Sequence, residues 1–282
     1  MPSFKGTYKT SLIGSIRTLL SGLGGFDTMA LELLQNADDA EAEKMCFDIT
    51  KKGLVVSNSS VFDYCGNIEN PKCTNEANGN TCDFHRITEL QSGDKAKDSE
   101  NIGRFGIGFI STFQITDRPT IISSGLSLKL LPELDRFDCD KVRTKETIFE
   151  LPWAKNPESE LRVALEQGEI DNNKIDRIYS DCKKVLNQSL LFLKNLKSVE
   201  LKRNGVSKLV VNINRKEESN RELVTISFLP TKKKEKWLIL SSEVEKSTIN
   251  LIYEEWPLLK SADRSPIIQI AVKSDKSPLK NG

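Results

Sequence analysis

The 282-residue sequence has no excess of charge of one sign, no long apolar run, no internal repeat and a single histidine. Lys and Arg total 41 against 40 Asp and Glu, a formal net charge of +1. No overall field therefore draws the chain onto nucleic acid or an anionic membrane. The run KKKEKW (232–237) is expected to be a solvated loop. No apolar stretch reaches the length that spans a bilayer, and the opening MPSFKGTYKT lacks the apolar core of a secretory signal. These absences point to the cytoplasm. Six cysteines in that compartment suggest free thiols or a metal site before disulfides.

What remains is the composition of a folded protein of one or two domains, 38% hydrophobic and 29% charged. Residues 10–21 place Leu12, Ile13, Ile16, Leu19 and Leu20 on one helical stripe. GLGGFDT then breaks the helix, with Asp27 or Thr28 as N-cap of a second helix running to about Glu43. KMCFDITKKGLVVSNSS reads as two strands joined at Lys52-Gly53. Residues 63–82 form a loop rich in Asn, Gly and Cys, and a short helix follows near DFHRITELQ. Short strands recur from 119 to 153, among them PTIISS, LSLKLL and TIFELPW. Asn156-Pro157 marks a boundary between a first domain, 1–155, and a second, 156–282. The second begins with helical material (158–196) and continues as strands SVELKR, KLVVNINR, ELVTISFL, KWLILSS and SPIIQIAVK. The last of these approaches a partner strand that does not follow, which suggests an N-terminal piece of a longer protein.

The helix LELLQNADDAEAEK carries polar residues inside an apolar segment. Glu32, Asn36 and Asp39 stand at i, i+4 and i+7 and share one face, while Met29, Leu33, Ala37 and Ala40 line another. By itself this pattern is also that of a solvated amphipathic helix. The segment Gly103-Arg-Phe-Gly106-Ile-Gly108 adds glycines spaced to let backbone N–H groups approach an anion, ahead of a helix with its positive end forward. No Gly-Lys-Ser/Thr follows, and a polar loop precedes it in place of a strand, so it is neither a Walker loop nor a dinucleotide fingerprint.

Together the two segments resemble the GHKL ATPases, which share the Bergerat nucleotide-binding fold with heat-shock chaperones, gyrase B and MutL, and within them the sacsin-type branch. ELLQNADDA matches the first box, SENIGRFGIGFIST the glycine box and TIFELPW the last nucleotide-contacting strand. TSLIGSIRTLL, DFHRITELQSGDK and LLFLKNLKSVEL extend the resemblance over most of 4–205. It implies an α+β fold: a mixed, mainly antiparallel sheet covered by helices, followed by a middle or transducer-like unit. It implies that Asn36 holds Mg²⁺ through its side-chain oxygen and that Glu32 orients and deprotonates the water attacking the γ-phosphate of ATP. Asp39 would lie towards the adenine. N–H groups of Gly103, Arg104, Phe105, Gly106, Ile107, Gly108 and Phe109 would cradle the phosphates. A lid at about 92–102, rooted at Ser92 and Gly93, would bring Lys95 or Lys97 to a phosphate, unless these lysines are merely solvated. Thr147 would bond adenine or its water, or serve only as a β-branched strand residue.

Two features depart from the family. Its second box is normally Asp-x-Gly-x-Gly, whose aspartate accepts from the adenine amino group; here LVVSNSSVF puts Asn58, Ser59 and Ser60 in that place. Asn58 can accept only without charge assistance, with Asp63 as fallback. The loop after it holds Cys65, Cys73, Cys82 and His85, a complete tetrahedral zinc set at the irregular spacing C-x7-C-x8-C-x2-H. Free thiols are the alternative there, and Cys46, Cys139 and Cys182 read as core or surface residues. The expected function is a slowly hydrolysing, Mg²⁺-dependent ATP-binding module of a larger chaperone-like protein. Its partners would be clients or the rest of the chain, with nucleotide-dependent dimerisation. A nucleotide-binding but non-hydrolysing scaffold or sensor, in a defence assembly for example, is the alternative. The lone histidine sits in the nucleotide domain, against a histidine kinase, and nothing basic points to DNA.

Overall fold

The computed structural model describes residues 11–22, 24–70, 72–78, 81–88, 107–218, 221–245, 249 and 267–274. The expected lid with Ser92, Gly93, Lys95 and Lys97, and Gly103 to Gly106 of the glycine box, lie outside the described residues. The chain divides into two compact units, Met1–Lys208 and Leu209–Gly282. The division follows Lys208 and not Asn156-Pro157, the junction marked in the sequence.

In the first unit, α1 spans Leu12–Leu20 and buries Leu12, Ile13, Ile16 and Leu20, the expected stripe. α2 spans Phe26–Asp39. Its N-cap is Gly25 at φ 86°, with no side-chain cap, in place of Asp27 or Thr28. Glycine enters that positive-φ turn without the steric cost other residues carry. α2 also stops at Asp39, short of Glu43. The N–H groups of Glu41 and Ala42 fold back to the carbonyls of Asp38 and Ala37, and Glu41 takes φ 59°, which ends the helix.

The strands are β1 (Lys44–Ile49), β2 (Gly53–Asn58), β3 (Thr120–Ser123), β4 (Leu126–Leu131), β5 (Arg136–Lys141), β6 (Thr147–Pro152) and β7 (Ser198–Arg203). They pair in the order β7-β1-β2-β6-β3-β4-β5, with β1 and β7 parallel and every other pair antiparallel. This is the expected mixed, mainly antiparallel sheet. β5, the segment RFDCDK, carries no apolar alternation; it lies at the sheet edge and stays largely exposed. Elsewhere the strands alternate, sending Phe47, Ile49, Leu54, Val56, Ile121, Leu128, Phe149 and Leu151 into the core. Met29, Leu33, Leu34 and Ala37 of α2 join it, as do Ile178, Cys182, Val185 and Leu186 of the later helix α6 (Asn172–Gln188). The helical material expected over 158–196 resolves into α5 (Glu160–Ala164), α6 (Asn172–Gln188) and an irregular stretch before β7. Between β2 and β3 lie α3 (Asp83–Thr88), α4 (Ile107–Ile110) and a 3-10 turn, Ser111–Gln114.

The second unit is an antiparallel meander of β8 (Val206–Glu218), β9 (Arg221–Leu229), β10 (Lys233–Glu243) and β11 (Ile267–Lys273). Val211, Ile213, Val224, Ile226, Phe228 and Ile239 bury its one apolar face. KKKEKW is not a loop: from Lys233 onward it is β10, where Lys233 and Lys273 both pair with Glu235. Among the described residues no helix is long and apolar enough to cross a membrane.

Candidate functional site

α2 sets the site because its two faces meet different surroundings. Met29, Ala30, Leu33, Leu34 and Ala37 are buried in the core. On the other face Glu32 is half-buried and Asn36 is 7% exposed. Their tips lie against α4. A Cβ added to Gly108 would stand 2.6 Å from Glu32 Oε2, 3.0 Å from Asn36 Nδ2 and 3.3 Å from Glu32 Cβ. Glycine allows the close approach there, so the backbone of α4 at Gly108 meets the polar face of α2. Three of the residues grouped in the sequence are thus brought together.

Among the described residues neither the Glu32 nor the Asn36 side chain has a hydrogen-bond or ion-pair partner. Burial without a compensating cation raises the Glu32 carboxyl above its ordinary pKa. Phe109 turns its ring into the core, 1% exposed, with ring centroids 6.2 Å from Phe113 and 5.8 Å from Phe149. The ring is therefore an anchor for α4. Ser111 Oγ donates to the Gly108 carbonyl and Thr112 Oγ1 to that of Phe109, at 2.7 Å.

Two buried charges without a counterpart among the residues singled out in the sequence hold this arrangement in place. Asp38 accepts the backbone N–H groups of Lys194 at 2.8 Å, Asn195 at 2.7 Å and Leu196 at 2.9 Å, tying the end of α2 to the irregular stretch before β7. Arg162 of α5, fully buried, donates to Asp117 at 2.6 Å and to the carbonyls of Phe113, Gln114 and Thr116, where the helical segment after the glycine box ends. Burial works to lower the Arg162 pKa, and Asp117 opposes it. Neither was legible: a second acid beside Asp39 and one arginine among many lysines and arginines carry no local signal.

The remaining residues expected at the base end behave differently. Asn58 and Thr147 face each other in the β2–β6 ladder, both buried. Asn58 Oδ1 already accepts from Ser60 N at 3.0 Å and Ser60 Oγ at 2.7 Å. Thr147 Oγ1 donates to the Ser60 carbonyl at 3.0 Å and lies 2.8 Å from Ser123 Oγ. Ser59 Oγ accepts from Glu43 N and Lys44 N. The two serines standing where the family pattern differs thus fasten the end of β2. Asp39 is exposed at the last turn of α2. Asp63 is tied to its neighbours, its N–H to Asp83 at the start of α3 at 2.8 Å and its carboxylate to Asn75 at 3.3 Å.

Cys65, Cys73, Cys82 and His85 converge: their candidate ligand atoms all lie within 4.8 Å of one another. Cys73, Cys82 and His85 are buried. His85 Nδ1 is 3.1 Å from Cys82 Sγ and 3.5 Å from Cys65 Sγ. Its Nε2 lies 2.8 Å from the Asn70 carbonyl, and the Cys82 N–H donates to Cys73 Sγ at 3.3 Å. Burial pushes the Cys82 thiol up to about 12. At Cys65 burial also works upward, but hydrogen bonds from the backbone of Asn67 and Thr74 outweigh it and draw the thiol down to about 6. Of the other cysteines, Cys182 is buried, Cys46 half-buried and Cys139 exposed. A cavity of about 580 Å³ beside Asp117 and Trp153, and another of about 910 Å³ beside Ser59 and Thr144, border neither Glu32 nor Asn36.

Residues 9–133 match the family model of the Sacsin domain. Human Sacsin is 34% identical over 118 residues, which is 41% of this chain and 2% of Sacsin. The chaperone protein HtpG of Shewanella pealeana is 35% identical over 82 residues, 29% of this chain and 11% of HtpG. The chain therefore spans a small fraction of the curated relatives it matches. Among solved structures, the ATPase domain of the Aquifex aeolicus mismatch repair endonuclease MutL aligns over 85% of both chains, with a TM-score of 0.36 and 11% identity. The matched segment is similar to sacsin-type domains. Glu32, Asn36 and Gly108 all fall inside the matched residues 9–133.

Proposed function

We propose that this chain binds ATP with Mg²⁺ and hydrolyses it slowly, as a conformational module of a larger chaperone-like protein. The observation that carries the reading is the placing of two polar side chains, Glu32 and Asn36, without partners among the described residues, against Gly108 of the glycine box. A buried amide and a desolvated carboxylate without partners among the described residues are costly unless a ligand or another group completes them. Asn36 offers the single neutral oxygen that a largely hydrated Mg²⁺ accepts, and the ion would supply charge neutralisation at the phosphates. Glu32 acts as general base: it takes the proton of the attacking water at a carboxylate oxygen, and its raised pKa improves it in that task. Gly108 and the residues before it cradle the phosphates through backbone N–H groups.

A second reading, nucleotide binding without turnover, is favoured by one detail. The carbonyl oxygen of Asn58 is committed to Ser60, so it offers a base no free acceptor of the kind an aspartate supplies. Titration calorimetry with ATP and Mg²⁺, followed by phosphate release, separates the two. Glu32→Ala is expected to keep nucleotide affinity within about threefold and to cut turnover by about 10²–10⁴. Turnover surviving that change removes Glu32 from the mechanism. Binding by the wild-type chain with no phosphate released would establish the second reading, and absence of any binding heat would end both.

A further inference from the structure

The function proposed for α2 and the glycine box leaves the cluster of Cys65, Cys73, Cys82 and His85 unused. We propose that these four residues form a structural zinc site, with His85 binding through Nδ1. The proposal stands on local geometry and does not depend on nucleotide binding. Ligands at about 2.0–2.3 Å from a tetrahedral Zn²⁺ lie roughly 3.5–3.8 Å from each other. The Cys82–His85 and Cys65–His85 separations of 3.1 and 3.5 Å, within a cluster spanning 4.8 Å, approach that arrangement. The residues close the tetrahedron without an open position, which is the pattern of a structural and not a catalytic site.

The surroundings favour a metal over four idle thiols. The Asn70 carbonyl, 2.8 Å from Nε2, takes that nitrogen's proton as its hydrogen-bond donor and leaves the Nδ1 lone pair aimed at the sulfurs. The Cys82 N–H donates to Cys73 Sγ, a contact that stabilises a thiolate. Cys82 and His85 sit on either side of the first turn of α3, Cys82 accepting Arg86 N–H at its carbonyl, so their relative position is set by the helix. Cys65 and Cys73 come from a connection in which the only described regular element is a 3-10 turn, Thr74–Asn78. Loops of that length inside a compact unit are uncommon unless something ties them down. Binding takes the three cysteines as thiolates, releasing any thiol protons to solvent, while His85 enters neutral. The metal then joins the run after β2 to α3, adding to the ring contact of Phe62 with Phe84 at 5.4 Å.

The test uses the full 282-residue chain, expressed with zinc in the medium and purified under reductant without chelator. Elemental analysis should find about one zinc per chain. Cobalt added to the chelator-stripped wild-type chain should give the tetrahedral ligand-field bands and thiolate charge-transfer absorption of a sulfur-rich site. Cys73→Ser combined with His85→Ala should lower zinc content at least roughly tenfold, whereas His85→Cys should retain the metal and shift the cobalt bands. Wild-type protein that carries no zinc and takes up no cobalt would overturn the proposal. So would iron in place of zinc, or a mass lighter by two hydrogen atoms that marks a disulfide among these cysteines.

Discussion

One helix of 14 residues carries two carboxylates with opposite fates. Asp38, at the last turn of α2, is buried and receives three backbone N–H groups from the stretch before β7. Glu32, on the face turned to Gly108, is half-buried and has no partner among the described residues. Burying a charge is tolerable where hydrogen bonds replace its hydration and unfavourable where they do not. Asp38 therefore stabilises the fold, whereas the desolvated carboxylate of Glu32 weakens it. Arg162 belongs with Asp38: it is dehydrated, yet its donors find acceptors in Asp117 and the carbonyls that close the segment after α4. Local rules satisfied at one end of an element and broken at the other are the mark of a site.

Removing the satisfied charge should have the largest effect. Asp38→Ala leaves three backbone N–H groups without an acceptor and is expected to cost about 3 kcal/mol or more in urea unfolding at neutral pH. Glu32→Ala should leave stability unchanged or raise it. If the two variants unfold at the same urea concentration, the contrast between the two ends of α2 is lost.

A smaller and more selective effect is expected at Gly108. Alanine there improves helix propensity by up to about 1 kcal/mol, but its methyl group crowds Glu32 Cβ at 3.3 Å, so the unfolding midpoint should stay near that of the wild type. The new methyl group meets Glu32 Oε2 and Asn36 Nδ2, and both tips must move away. A displacement of that kind at the reacting atoms is expected to lower ATP turnover by about tenfold or more. A Gly108→Ala protein with wild-type turnover would mean that the contact is packing only.

How much of this was legible follows from where the information sits. The sheet, the α1 stripe and the two faces of α2 are local periodicities, and the structure reproduces them with shifted ends. The N-cap moved to Gly25 and the C-terminus to Asp39 because tight positive-φ turns, not side-chain caps, bound the helix. The pairing of Glu32 and Asn36 with Gly108 was reachable only through family resemblance, since their separation along the chain gives no periodic signal. Asp38 and Arg162 were not reachable, because what defines them is the set of backbone groups they meet more than forty residues away. β5 was missed for a related reason: an edge strand with exposed faces needs no apolar alternation.

The finest contrast lies in pH. Desolvation raises the Glu32 pKa, so the folded state holds the proton more tightly than the unfolded chain does. Between the ordinary carboxylate pKa and the raised folded value the native state binds more protons than the unfolded one. Stability must then fall as pH rises through that window and level off above it. Glu32→Gln removes the titration while keeping the shape. Its stability advantage over wild type is expected to be greatest at neutral pH and to shrink as the pH drops below the ordinary carboxylate range. The same shift should place the acid limb of the turnover profile above that of an unperturbed carboxylate, because only the ionised form can accept the water's proton. Urea midpoints of both proteins from about pH 4 to 8 read the first effect and steady-state phosphate release reads the second. A constant difference in midpoint across that range would show that the Glu32 carboxylate finds a partner in the folded protein, which would place it with Asp38 and not opposite it.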